Sequence, residues 1–232
     1  MVKEELIARS PVRAFMRAID GGLRPGEIGV IASPSGLGKT SVLVQIALDK
    51  LLQGQKVIHV SFTQQADYVL AWYDDIFDEL TQTEALENKR DVRDEIIKNR
   101  VLMQFNQESV TQDQVLRSLK ALICEGGFKA EALIVDGYAF SPASGERLEK
   151  VRAFAKEAGL VVWYSCNVKG DAPYNAEGVP LVMEAYAGLA AALVVLDPQD
   201  DCIALRLLKN RAVYHPACPP LRLDPGTLLL LE

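Results

Sequence analysis

Cysteine and histidine are too few and too scattered here to build a site on their own. The four cysteines of the 232-residue chain, Cys124, Cys166, Cys202 and Cys218, form no CxxC pair. Each sits in or beside an apolar run, as small buried thiols do. The two histidines, His59 and His215, lie far apart, so no metal-ligand spacing is formed. His59 falls in an apolar strand run and reads as a hydrogen-bonded core residue, His215 as a loop residue. A reduced, cytoplasmic protein is the expected reading. Residues 1–9 carry Lys3, Glu4 and Glu5 and no apolar h-region, and the longest uncharged apolar run, residues 188–196, is far short of a membrane span. Neither secretion nor membrane insertion is expected. Positive charge is also short: 25 Lys+Arg against 31 Asp+Glu give a net charge of -6. Bulk attraction to a phosphate backbone is therefore missing, and only a local basic patch could bind nucleic acid.

What remains is an ordinary globular composition, 49% hydrophobic and 24% charged, in a chain long enough for one large domain spanning 1–232. Residues 27–33 are a nearly continuous apolar run, the pattern of a strand buried on both faces. Residues 39–55 switch to helical spacing through Val42, Leu43, Ile46, Ala47 and Leu51, with Gly54 as a stop. The alternation continues with a strand at 56–62, a helix at 66–80, a strand at 101–105 and a helix behind the Thr111–Gln114 capping box. A strand at 132–135, a helix from Ser144 to Gly159 and a strand at 160–165 follow. Such alternation predicts an α/β fold, a mostly parallel sheet with helices on both faces. Residues 168–180 read as a mobile loop and residues 81–100 as a solvated helix or insertion. A short helix near 182–189 precedes strands at 191–196, 202–208 and 221–231, whose short connections predict an antiparallel extension.

The turn after the first strand carries the chemistry. Ser33-Pro34-Ser35-Gly36-Leu37-Gly38-Lys39-Thr40 fits GxxxxGK[ST] except that Ser33 stands at the first glycine position. Gly36 and Gly38 let backbone N–H groups approach phosphate oxygens, Lys39 brings a point charge, and Thr40 offers a hydroxyl to Mg²⁺. Residues 33–41, Ser41 included, form the candidate nucleotide-binding set. The helix starting at Lys39 directs its positive end at the same anion. A metal site needs an acidic residue at the end of a neighbouring strand, and Ala132-Leu133-Ile134-Val135-Asp136 supplies Asp136.

These motifs, with Ile19-Asp20-Gly21-Gly22-Leu23-Arg24-Pro25-Gly26-Glu27 leading into them, resemble the RecA-type P-loop ATPases, closest to single-domain relatives of the circadian-clock ATPase KaiC and to replicative helicases. The resemblance implies a RecA fold, ATP and Mg²⁺ as ligands, and assembly into a homo-oligomer, often a hexamer. Carried over by position, Lys39, Thr40 and Asp136 match phosphate and metal residues, and Asn167 falls where a polar sensor reads the γ-phosphate. Lys209 and Arg211 resemble the Lys-x-Arg finger that reaches a neighbouring subunit's nucleotide. Where KaiC-like members carry water-polarising glutamates, this chain has Gln64 and Gln65. An amide orients water but cannot take its proton. Slow, Mg-dependent ATP hydrolysis by an oligomer is the expected activity. The alternatives are a hydrolysis-deficient, nucleotide-gated module that binds a protein partner, and a recombinase- or helicase-like protein acting on single-stranded DNA. The last is disfavoured, because loop 168–180 sets only Lys169 against Asp171 and Glu177 and offers a single stacking ring, Tyr174.

Overall fold

A computed structural model describes residues 3–8, 10–63, 65–82, 88–141, 143–170, 173–217 and 221–231. Its centre is β1 (Ile28–Ser33), in which every residue is buried. β1 is flanked by β5 (Val161–Asn167) and β6 (Ala190–Pro198), both parallel to it. Beyond β5 lie β4 (Ala132–Asp136), β2 (Val57–Ser61) and β3 (Arg100–Gln104), all parallel. β7 (Ile203–Asn210) turns back antiparallel to β6 and carries β8 (Val213–Ala217) and β9 (Arg222–Leu223), with β10 (Leu230–Leu231) beyond β9. The ten-stranded sheet runs β10-β9-β7-β6-β1-β5-β4-β2-β3, with β8 on β7. The expected α/β class, mostly parallel sheet and antiparallel C-terminal extension are what the chain adopts.

Side chains alternate between two cores because successive strand residues face opposite ways. Ile31, Ile134 and Trp163 face one side, with α1 (Lys3–Ala8), α2 (Pro11–Ala18), α3 (Lys39–Leu52), α4 (Ala66–Gln82) and α5 (Lys89–Lys98). Val30, Val135 and Tyr164 face the other, with α6 (Gln112–Lys120), α7 (Ser144–Ala158) and a 3₁₀ helix, Leu181–Leu189. The α3–α5 connections move the chain one way across the sheet and the α6, α7 and 3₁₀ connections move it back, as right-handed crossovers require. Gly29 is needed in β1 because a Cβ there would stand 2.4 Å from the Trp163 ring.

Four expectations change in detail. The charged stretch 81–100 is not wholly solvated: within it α5 buries Val92 and Ile96 against the α3 side, while residues 83–87 lie outside the described residues. The loop 168–180 is tied down in its described part. Asn175 Oδ1 accepts from the N–H groups of Glu177 and Val179, and Val168 and Val179 are buried. The run 221–231 is two short strands rather than one, because Asp224 accepts hydrogen bonds from Gly226 N, Thr227 N and Thr227 Oγ1 and folds the chain back. His215 lies on strand β8, not in a loop; Cys218 lies outside the described residues.

Candidate phosphate and metal site

β1, β4 and β5 end side by side at the carboxyl edge of the parallel strands, where open α/β sheets bind ligands. Ser33 pairs with Asn167 across β1 and β5, and Asp136 pairs with Ser61 across β4 and β2. The turn leaving β1 puts Pro34, Ser35 and Gly36 at the surface. Gly36 and Gly38 both have φ +85, a conformation that costs glycine little and other residues more. A side chain at Gly38 would also press on Leu223, 3.1 Å from the added Cβ. α3 begins directly at Lys39, so its first N–H groups face the same surface.

Lys39 folds back onto this turn. Its Nζ donates to Ser33 O at 2.9 Å, Ser33 Oγ at 3.1 Å and Pro34 O at 2.7 Å. Burial holds its pKa below that of an ordinary lysine, opposed by the negative charge of Asp136. Thr40 Oγ1 donates to Asp136 Oδ2 at 2.8 Å. The predicted phosphate and metal residues Lys39, Thr40 and Asp136 are therefore brought together. Asn167, exposed at the end of β5, joins them by accepting from Ser35 Oγ at 3.0 Å. Leu37 packs toward the α3-side core.

Ser41, included in the nucleotide-binding set from the sequence, is turned elsewhere. It is fully buried, and its hydroxyl donates to Leu228 O at 2.7 Å. Gln45 completes the contact, donating to Leu228 O and accepting from Leu230 N. Gln65 is exposed at the start of α4, where its carbonyl accepts from Tyr68 N and Val69 N; Gln64 lies outside the described residues.

Lys209 and Arg211 lie toward the opposite end of the strands. Arg211 N bonds to Ala191 O, level with Ile28 and Gly29. That is four or five residues before Ser33, roughly 13–17 Å along the strand. Neither side chain is offered outward as the finger reading requires. Lys209 is 3% exposed, and its Nζ donates to the carbonyls of Ala187, Gly188 and Ala190. Arg211, at φ +53, binds Glu27 and Asp20 and the carbonyls of Ile19 and Gly22. Both line an open cleft of about 870 Å³ with Arg152, Lys156 and Tyr214. A smaller apolar cavity of about 50 Å³, lined by Phe62, Leu116, Tyr138 and Tyr164, lies on the α6–α7 face. Neither space includes Lys39.

One neighbour of Asp136, Ser165, was missed in the sequence, and His59 is the buried, hydrogen-bonded core residue expected. Ser165 Oγ donates to Asp136 Oδ1 at 2.5 Å and accepts from Gly137 N at 2.8 Å. A lone polar residue near the end of the apolar run 160–166 was the available signal. His59 lies two residues before Ser61 on β2, its Nδ1 3.0 Å from Tyr73 Oη and its Nε2 buried without a partner among the described residues. Burial pushes its pKa down to about 4, against the opposing pull of Asp136.

No protein-family model matches the chain, and no curated protein matches it either. The functional reading therefore rests on the geometry just described and on the motif resemblance.

Proposed function

We propose that this chain is an ATP-binding protein of the RecA/KaiC P-loop type, a slow Mg-dependent ATPase that acts as an oligomer. The observation that carries the reading is the meeting of Lys39, Thr40 and Asp136 at one strand edge, with Thr40 hydrogen-bonded to Asp136. Two glycines at positive φ and the first turn of α3 direct N–H groups to the same place. The donor set fits Mg²⁺. A threonine hydroxyl and one carboxylate are hard oxygen ligands, and Mg²⁺ commonly takes one or two carboxylates and completes its shell with phosphate oxygens and water. Among the described residues no group of three or more His, Cys, Asp or Glu is placed to hold a metal ion. When bound, Mg²⁺ neutralises charge on the β- and γ-phosphate oxygens.

The chain's own residues have separate tasks. Lys39 exchanges the oxygens of Ser33 and Pro34 for phosphate oxygens, and Asn167 faces the outer end of the turn through Ser35. Gln65, or Gln64 beside it, orients water without accepting its proton, which makes turnover slow. Calorimetry with Mg-ATP tests the reading. Wild type should bind and Lys39→Ala should not; absence of wild-type binding overturns it. Gln64→Glu and Gln65→Glu, singly and together, should raise phosphate release about tenfold or more. Turnover per subunit should rise with protein concentration as the oligomer forms.

The glutamines also favour a second reading, a nucleotide-gated module for a protein partner; tight ATP binding with no turnover in any assembly state would select it. Action on single-stranded DNA has least support: the charge is -6 and the described part of loop 168–180 hydrogen-bonds to itself. No described helix is long and apolar enough to cross a membrane.

A further inference from the structure

We infer that Ser165 is the positioning residue that sets the Asp136 carboxylate for the metal, a role that rests on the nucleotide-binding reading above. Ser165 stands on β5, one strand from Asp136, and is 3% exposed within an otherwise apolar stretch. Its hydroxyl has one proton to give. Gly137 N–H can only donate, so Ser165 Oγ accepts there and its proton goes to Asp136 Oδ1. That bond fixes which carboxylate oxygen is turned inward. Oδ1 is held against β5, and Oδ2 is turned to Thr40, 2.8 Å away, on the side of the phosphate turn.

The backbone is shaped to keep this arrangement. Gly137 leaves β4 at φ +75, and its N–H donates to Ser165 Oγ. Thr63 closes the other side, since a Cβ at position 137 would lie 2.2 Å from Thr63 Oγ1. Ser165 reaches the metal only through Asp136. Without its hydroxyl, Asp136 loses one of its two side-chain donors among the described residues and can rotate about its own Cβ–Cγ bond. A hydrogen bond to a charged group is strong enough for that loss to be measured.

The test uses the full chain and a fluorescent ATP analogue titrated first in EDTA and then with increasing Mg²⁺. Ser165→Ala should leave the Mg-free affinity within about twofold of wild type and raise the half-saturating Mg²⁺ concentration about tenfold. Ser165→Thr, which keeps the hydroxyl, should restore the Mg²⁺ response, a rescue that a purely space-filling role would not give. Should Ser165→Ala fail to fold, Ser165→Cys keeps the volume with a weaker donor and reads the same split. An unchanged Mg²⁺ response, or an equal loss with and without Mg²⁺, overturns the positioning role while leaving nucleotide binding intact. Failure of wild type to bind the analogue at all overturns the nucleotide reading, and this role with it.

Discussion

The two ends of the parallel strands both carry lysine and hydrogen-bonding side chains, yet they hold them in opposite ways. At the carboxyl edge, Lys39 rests on oxygens of Ser33, buried at the end of β1, and of Pro34, exposed beside it. Of those partners, the Pro34 carbonyl lies on the exposed turn Pro34–Gly36, where water can take it over, and the buried Ser33 carbonyl keeps the Val168 N–H as a donor without Lys39. At the other end, Lys209 is sunk among the carbonyls of residues 187–190, and Arg211 is clasped by Glu27, Asp20 and two further carbonyls. Releasing Lys209 would take a donor from the buried Ala187 and Ala190 carbonyls, and releasing Arg211 one from the Gly22 carbonyl and the part-buried Glu27 carboxylate, at a cost of about 1–3 kcal/mol for each group left unsatisfied. A cation is free to act on a ligand only when the partners it leaves can be satisfied without it. The difference makes one end a candidate site and the other a structural joint between the segment 19–27 and β7.

The contrast predicts that equivalent deletions fail differently. Lys39→Ala should weaken ATP binding about 100-fold or more, roughly 3 kcal/mol, with little change in the unfolding midpoint; calorimetry beside a thermal melt checks both. Lys209→Met should do the reverse. Loss of the ammonium takes a shared donor from three carbonyls and should lower stability by about 2–4 kcal/mol, or Tm by about 5–10 °C. ATP affinity of the folded protein should stay within about twofold of wild type. Arg211→Ala should behave like Lys209→Met if its role is the joint. A large loss of turnover at unchanged stability would return it to the finger role.

A smaller effect separates the interior near Asp136 from the surface. His59 is buried with its pKa pushed down to about 4, below the ordinary value near 6.5. As pH falls from about 6.5 toward 4, the unfolded chain takes up a proton that the folded one refuses, so stability declines across that window and is fully present above it. His59→Gln should flatten that part of the stability profile, measured by urea unfolding at pH 4.5, 5.5 and 7. The smallest expected change is at Ser33, whose hydroxyl is one of three oxygens on Lys39 Nζ. Ser33→Gly removes that partner and should tighten ATP binding a few-fold, about 0.5–1 kcal/mol.

The strands around the site, the turn at residues 33–40 and the acid at Asp136 were legible in the sequence because each is a local event. Two-sided burial writes a continuous apolar run, glycine marks positive φ, and a helix announces itself by its period. The alternation of elements likewise determined a mostly parallel sheet with an antiparallel tail. The partner of each polar side chain was not determined this way. Ser165 meets Asp136 across 29 residues, Ser41 meets Leu228 across 187, and Lys209 meets Ala187 across 22. Ser41 and Lys209 carry the same functional groups as Thr40 and Lys39 and looked equally available in the chain. Only strand order and register decided that one lysine lies beside exchangeable oxygens and the other among buried carbonyls, because hydrogen bonding in the interior depends on which segments the sheet brings together, not on what the neighbouring residues are.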